Sequence, residues 1–214
     1  MRVFQNREVA AQLLAQQLAH YQGKNPLVLA IPRGAVPMAY IIAQSLGGQM
    51  DVVLVHKLGA PTQPELAIGA VEESGAVYLN AYVKALKVPE SYLVQEQAAQ
   101  LAMLQARRAL YSPLRASIDL KGRIVLLVDD GIATGSTMVT ALQAIRAKHP
   151  ARLVAVTAVA SDSAFHLISQ LADEVVCLEV PDNFYAVGQF FMEFPQVSDE
   201  AVVALLKEQS QESH

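Results

Sequence analysis

Five short stretches of the chain are apolar at almost every position, and residues that favour turns or helix ends separate them. They cover residues 27–31, 51–55, 123–128, 153–159 and 174–180. A strand with one face in water alternates apolar and polar residues, whereas a strand buried on both faces is apolar throughout. The pattern therefore predicts five strands of a parallel sheet that is covered on both sides.

Between these strands, apolar residues recur at the three- and four-residue spacing of an amphipathic helix. A first helix begins after the N-cap residue Asn6 and ends near Gly23, and a second ends at Gly47. A third carries apolar residues at positions 138, 141, 142 and 145, and a short fourth lies near residues 164–171. Strands that alternate with helices in this way indicate an α/β fold with a doubly wound, mostly parallel sheet.

Two segments depart from this alternation. Residues 56–80 contain three glycines and two prolines, which predicts a loop-rich region with short strands around 67–71 and 77–79. Residues 89–110 are rich in Gln, Ala, Glu and Leu, which predicts one long helix that ends before Pro113. We expect residues 1–214 to form a single domain, with a helical insertion at 83–116 and a C-terminal segment at 180–214.

The composition is that of a folded protein, because 53% of the residues are hydrophobic and 17% are charged. The formal net charge of −4 and the scattered Lys and Arg residues argue against binding to nucleic acid. The chain lacks an 18-residue apolar run and a signal-peptide pattern, so we expect a cytoplasmic protein that does not bind a membrane. The single cysteine, Cys177, lies in an apolar stretch and is expected to be buried.

The third strand runs into the stretch "VLLVDDGIATGSTM", which has almost no bulky side chain after its two aspartates. In a doubly wound sheet, ligands bind where strands end and helices begin. Small residues let backbone amides approach a ligand, hydroxyls add donors, and the next helix offers the positive end of its dipole. These features predict a phosphate-binding loop made of Gly131, Ala133, Thr134, Gly135, Ser136 and Thr137. The nucleotide motifs GxxxxGK[ST] and GxGxxG are both absent from the sequence.

Asp129 and Asp130 precede this loop, so their carboxylates should lie close to whatever carries the phosphate. Carboxylates accept hydrogen bonds from sugar hydroxyls and help to place Mg²⁺. A molecule with a phosphate beside vicinal hydroxyls is a ribose 5-phosphate. The alternative is a simple strand-end turn that Asp and Thr side chains cap.

The same stretch resembles the phosphoribosylpyrophosphate (PRPP) motif of type I phosphoribosyltransferases. The resemblance implies that family's fold with its small hood, and it implies that Asp129 and Asp130 hold the ribose hydroxyls and reach Mg²⁺ through ribose or water. It also implies that residues 133–137 surround the 5-phosphate. Homodimers are common in the family, so we expect a homodimer.

Two further stretches agree with this resemblance in order and spacing. "IPRGAVP" follows the first strand, where the family has its pyrophosphate loop, so Arg33 and the Gly34 amide would contact the leaving group. Family members often have a non-proline cis peptide there, and we expect it at Pro32-Arg33 or Arg33-Gly34. "HKLGAPTQPELAIGA" follows the second strand and supplies Lys57 before a mobile loop that closes over the reaction. The alternative for Arg33 and Lys57 is an exposed cation at a strand end.

"KLGAPTQPELAIGA" and the long helix also resemble a little-characterised group of bacterial phosphoribosyltransferase-like proteins. In that group we expect an arginine soon after the tyrosine that follows the helix, where this chain has Ser112. If that arginine binds phosphate, then Arg107, Arg108 or Arg115 substitutes for it, or the contact is absent.

The C-terminal stretch "EVPDNFYAVGQFFMEF" resembles the base-binding segment of hypoxanthine-guanine phosphoribosyltransferases. Phe184 would stack on the base, with Tyr185 beside it, and Glu193 lies near the family's acidic position close to the metal. The sequence departs from that pattern in three ways. One extra residue separates Phe184 from Gly188, no lysine corresponds to the one that reads the purine, and Ala133 replaces an acidic residue. The alternative for Phe184 is a core aromatic residue, and the acceptor is not identified.

The residues and the resemblance together indicate an enzyme that transfers ribose 5-phosphate from Mg²⁺-bound PRPP to a nitrogenous acceptor, a nucleobase by preference. A PRPP- or nucleotide-binding regulator without significant turnover is the alternative. A generic sugar-phosphate binder would leave the PRG and KLGAP stretches unexplained.

Overall fold

The computed structural model describes residues 2–79, 81–111 and 118–212 of the chain. The strands are β1 Leu27–Ala30, β2 Gln49–Val52, β3 Val55–Ala60, β4 Gln63–Glu72, β5 Val77–Leu79, β6 Ile124–Asp129, β7 Arg152–Val159 and β8 Glu174–Glu179. The α-helices are α1 Arg7–Gln17, α2 Val36–Leu46, α3 Tyr82–Ala85, α4 Glu90–Tyr111, α5 Ser136–Arg146, α6 Asp162–Ser169 and α7 Asp199–Glu212. Short 3-10 turns lie at Ala19–Tyr21 and Val187–Phe190.

The main sheet has five parallel strands in the order β2-β1-β6-β7-β8. Its central strands are buried along their length, and two hydrophobic clusters cover its two faces. Strands without a polar face need apolar cover on both sides, which the helices supply. The predicted α/β fold with a doubly wound parallel sheet is therefore confirmed.

The strand order places β1 and β6 side by side although they are far apart in the sequence. From β1 the chain moves outward to β2, and from β6 it moves outward in the other direction to β7 and β8. The loops that leave β1 and β6 therefore diverge and open a crevice between them. This topological switch point is the place where an open α/β sheet binds its ligand.

A second sheet of three antiparallel strands, β3-β4-β5, corrects the prediction of a loop-rich region at 56–80. Only the short strand predicted at 77–79 has the observed bounds, since β4 spans ten residues and includes the predicted 67–71. The strand predicted at 51–55 is β2, and it begins and ends earlier. Irregular pairing near Gly59 bends β3, and such pairing depends on the partner strand and not on the local sequence.

Most helix boundaries follow the sequence signals more closely, although α1 ends at Gln17 and not near Gly23, and a 3-10 turn follows it. The Asn6 side chain accepts a hydrogen bond from the Val9 amide and caps α1, and Gly47 ends α2 in the left-handed conformation at φ 64°. The predicted long helix is α4, and it packs against β3, β4 and α7. The C-terminal helix α7 is not among the predicted elements. Across the residues that the structure describes, none of the helices is long and apolar enough to cross a membrane.

Candidate functional site

The loop after β1 lies directly against the loop after β6. The peptide bond between Pro32 and Arg33 is cis, which confirms the first of the two expected positions. The next residue, Gly34, is so close to the side chain of Asp130 that a Cβ atom at position 34 would overlap its carboxylate. Glycine is required here because the two strand ends approach each other.

The two aspartates at the end of β6 have different surroundings. Asp129 accepts a hydrogen bond from the backbone amide of Asp130 at 2.9 Å. Burial, and then the neighbouring carboxylate of Asp130, raise the pKa of Asp129 well above its usual range. Asp130 is paired with Arg7, whose Nε and Nη2 lie 2.9 and 2.8 Å from its Oδ2. The pair therefore presents one carboxylate bound to a cation and one carboxyl group that holds a proton more readily.

The loop after the aspartates leads into the first turn of α5. Gly135 precedes the helix with φ 79°, a conformation that favours glycine. The hydroxyls of Thr134 and Ser136 lie 3.3 Å apart at the helix start. Ser161, from the loop after β7, donates a hydrogen bond of 2.7 Å to the carbonyl of Ala133 and fixes the loop. Hydroxyls and helix amides that face the same point can bind a phosphate.

A cavity of about 330 Å³ lies between this loop, the loop after β1, and α4. Its lining includes Pro32, Lys57, Arg107, Thr134, Ser136 and Thr137. A larger hollow of about 610 Å³ surrounds Asn25 and Gln49, at the amino ends of β1 and β2. Because ligands bind at the carboxyl ends of parallel strands, the smaller cavity is the candidate site.

The two basic residues predicted to contact the donor, Lys57 and Arg33, lie on different elements of this region. Lys57 lies on β3 and lines the cavity. Arg33 projects from the loop after β1 with its side chain 45% exposed, and its Nη1 lies 3.5 Å from the Asp199 carboxylate. A long, exposed contact of this kind is weak, so Arg33 can turn to another anion at low cost.

The arginines expected to replace the one missing at Ser112 have separate positions. Arg107 is exposed and lines the cavity. Arg108 is directed away and donates hydrogen bonds to Asp51, Glu73 and the Val52 carbonyl, which fixes α4 to β2. Arg115 and Ser112 lie outside the described residues. Of the described candidates, Arg107 is the one that lines the cavity.

The C-terminal segment packs beside the loop after β6. A Cβ atom at Gly131 would overlap the side chain of Val187, so the two segments are in close contact. The Phe184 ring is half-buried, with its centroid 5.4 Å from that of Phe190, whereas Tyr185 is 87% exposed. Glu193 accepts a hydrogen bond from Gln5 at 2.8 Å. The packing of Phe184 agrees with its core alternative, and its role in base binding stays a prediction.

Three residues of this region carry no clear signal in the sequence. Arg7 contacts Asp130, and Asp199 at the start of α7 accepts a hydrogen bond of 2.6 Å from Tyr111 at the end of α4. Burial, and then this hydrogen bond, raise the pKa of Tyr111 to about 12, so it remains a donor at neutral pH. An arginine in the first turn of α1, where acidic residues are favoured, is the one feature that could have indicated Arg7.

The described part of the chain contains no group of three or more His, Cys, Asp or Glu side chains that could hold a metal ion. Cys177 is half-buried, where full burial was predicted, because β8 is an edge strand. Burial nevertheless raises the pKa of its thiol to about 11.

Comparison with known proteins agrees with this geometry. Two relatives, from two strains of Mycobacterium tuberculosis, carry provisional phosphoribosyl transferase names, and each is 42% identical over 207 residues. These matches cover 96% of this chain and 47% of each relative, so the chain spans about half the length of the curated relatives it matches.

The crystal structure of TT1426 from Thermus thermophilus is similar over 98% of this chain and 99% of that chain, with a TM-score of 0.90 and 45% identity. The family model of the phosphoribosyl transferase domain matches residues 2–195. The chain therefore belongs to the phosphoribosyl transferase domain family.

Proposed function

We propose that this protein transfers ribose 5-phosphate from Mg²⁺-bound PRPP to a nitrogenous acceptor of the nucleobase class and releases pyrophosphate. The observation that supports this most strongly is the contact between Gly34 and Asp130 at the switch point. It joins the loop expected to bind pyrophosphate to the loop expected to bind ribose. In PRPP the pyrophosphate is attached to ribose C1, next to the 2- and 3-hydroxyls, so the two loops must lie side by side to bind one molecule.

Each part of the donor would have its own group of residues. The 5-phosphate lies at the start of α5, where Thr134, Ser136 and Thr137 provide hydroxyls and the helix provides amides. The ribose hydroxyls donate to Asp129 and Asp130. The pyrophosphate faces the Gly34 amide and the side chains of three basic residues, Arg33, Lys57 and Arg107.

The reaction breaks the bond between ribose C1 and a pyrophosphate oxygen and forms a bond between C1 and the acceptor nitrogen, whose proton passes to solvent. Positive charge develops on the ribose ring while negative charge develops on the leaving group. Catalysis is then mainly the positioning of the two reactants and the stabilisation of these charges. In this proposal Mg²⁺ enters with the donor. The segment at 59–75, predicted as a mobile loop, is largely the β3-β4 strand pair, and it would cover the site and exclude water as that pair.

The first experiment incubates the protein with PRPP, Mg²⁺ and a panel of purine and pyrimidine bases and measures pyrophosphate release. Release with one acceptor class supports the transferase and identifies the acceptor. Calorimetric binding of PRPP without pyrophosphate from any acceptor would instead favour the regulatory alternative. Failure to bind PRPP at all would refute both.

A second experiment tests the aspartates. Replacement of Asp129 and Asp130 by asparagine should lower kcat/KM at least about hundredfold, because the groups that hold the charged ribose are neutralised. Asp162→Asn is the matched control, since its carboxylate is 76% exposed on α6. Full turnover by the double variant would exclude the assigned role.

The assembly expected for the family is tested separately. Light scattering at micromolar concentration should give the mass of a homodimer, and the mass of one chain would refute that expectation.

A further inference from the structure

One buried arginine connects the aspartate expected to bind ribose with two other parts of the fold. Arg7 lies in the first turn of α1 and its side chain is only 9% exposed. Its Nε and Nη2 both contact Oδ2 of Asp130, and its Nη1 donates to the carbonyl of Pro195 at 2.7 Å. The guanidinium carbon lies 3.7 Å from the centre of the Phe194 ring.

These contacts use most of the ways in which a guanidinium binds: its N–H groups bind oxygen atoms, and its flat face packs on an aromatic ring. Burying a cation is costly unless it is paired and hydrogen-bonded, and here one carboxylate, one carbonyl and one aromatic face satisfy it. The planar fork of arginine fits this set, whereas the single ammonium of lysine would not. The arrangement therefore depends on arginine and not only on positive charge.

The contacts also fix the direction of the Asp130 side chain. Arg7 contacts its Oδ2, and the Gly34 backbone lies against the same carboxylate. Within the described residues, no side chain hydrogen-bonds the other oxygen, Oδ1. Asp130 is thus held from one side with one oxygen available to a ligand.

We propose that Arg7 is a positioning residue for the donor: it holds Asp130 in the orientation that accepts a ribose hydroxyl, and it links that aspartate to the C-terminal segment at 194–195. This inference rests on the proposed function. Its specific content is that Arg7 acts on the ribose half of PRPP, through Asp130, and not on the pyrophosphate half.

The test measures the binding of three probes by calorimetry: ribose 5-phosphate, Mg-PRPP and Mg-pyrophosphate. Arg7→Gln should weaken ribose 5-phosphate and Mg-PRPP at least about tenfold and leave Mg-pyrophosphate unchanged, because in the proposed arrangement the carboxylate that Arg7 holds contacts the ribose and not the pyrophosphate. Arg7→Lys should restore part of the lost affinity. Arg146→Gln is the matched control, since Arg146 also binds a carboxylate, Asp173, but at the far end of α5.

A double variant shows whether Arg7 affects ribose binding through Asp130 or independently of it. In an Asp130→Asn background, Arg7→Gln should cause no further loss of ribose 5-phosphate affinity. Phe194→Leu removes the ring contact with Arg7 together with the stacking of Phe194 on Phe191, and it keeps an apolar side chain at that position. It should weaken ribose 5-phosphate a few-fold and leave Mg-pyrophosphate unchanged, so it tests the proposal even if Arg7→Gln does not fold.

Three results would overturn the inference: unchanged binding by Arg7→Gln, an equal loss for all three probes, or additive losses in the double variant. An equal loss would mean that Arg7 supports the fold in general. If the unmodified protein binds neither ribose 5-phosphate nor PRPP, the proposed function itself is refuted, which is a different outcome from the failure of Arg7 alone.

Discussion

Arg107 and Arg108 are neighbours on α4, and the structure predicts opposite consequences for the same substitution at each. Arg108→Gln should strongly destabilise the fold, whereas Arg107→Gln should leave stability nearly unchanged and weaken the binding of pyrophosphate. The side chain of Arg108 is 14% exposed and contacts Asp51, which is 2% exposed. Arg107 is exposed and lines the candidate site.

The expected loss of stability depends on which charged groups stay buried without a partner after each substitution. Burial alone lowers the pKa of Arg108, but its hydrogen bonds to Glu73 and Asp51 outweigh this and raise the pKa overall, so the guanidinium is charged. Removing it leaves two carboxylates uncompensated, which costs about 3–5 kcal/mol. That is a large part of a typical total of about 5–15 kcal/mol. The exposed Arg107 should change stability by no more than about 0.5 kcal/mol.

The assay combines urea unfolding with calorimetric titration of Mg-pyrophosphate, and both variants enter both experiments. Arg107→Gln should weaken pyrophosphate binding about ten- to hundredfold, because a charge-assisted hydrogen bond contributes about 1.5–3 kcal/mol. Arg108→Gln should bind pyrophosphate normally at a temperature where it remains folded. If Arg108→Gln unfolds at the same urea concentration as the unmodified protein, the structural role of the buried network is wrong. If Arg107→Gln binds normally, Arg107 does not contact the leaving group.

Three further predictions concern close contacts and burial. Gly34→Ala should lower kcat/KM about hundredfold, because the new methyl group displaces the Asp130 carboxylate, and a wild-type rate would show that this carboxylate can move freely. Gly131→Ala should lower the free energy of unfolding by about 1–3 kcal/mol through overlap with Val187 and, less closely, with Val159. Val187→Ala in the same chain should restore part of this loss, so a complete lack of rescue would refute the contact with Val187. Cys177 has a thiol pKa raised to about 11, so it should react with a disulfide reagent at pH 8 far more slowly before than after denaturation; equal rates would contradict its burial.

The positions of the two loops at the candidate site could be predicted because each loop is a continuous stretch of sequence. The residues from Asp129 to Ser136 form a strand end, a loop and a helix start in immediate succession, and each of these has a local signal. The same is true of Pro32 to Gly34, which follow β1 directly. The parallel topology places both loops at the same edge of the sheet. Their meeting also requires β1 and β6 to be neighbouring strands, and the structure and not the sequence shows that strand order.

The second sheet could not be predicted in the same way. Its strands contain glycines and prolines that locally favour turns, and what pairs them is contact between β3 and β4. The strand preference of a residue depends on its cross-strand neighbours more than on its own backbone. The local sequence of residues 56–80 therefore favours loops, although most of it forms strands.

The role of Arg7 could not be predicted from the local sequence either. Its contacts also show how the C-terminal segment contributes to the site. In sequence, Arg7 is an arginine at the start of an ordinary amphipathic helix, 123 residues away from Asp130. Its role depends on three partners, Asp130, Phe194 and Pro195, that the fold brings together from distant positions. The acceptor site is expected at the aromatic segment before Phe194. A change in the conformation of that segment should therefore alter the affinity for ribose through Arg7. Donor and acceptor binding would then be coupled through one guanidinium, and by thermodynamic reciprocity each ligand would change the affinity of the other by the same factor.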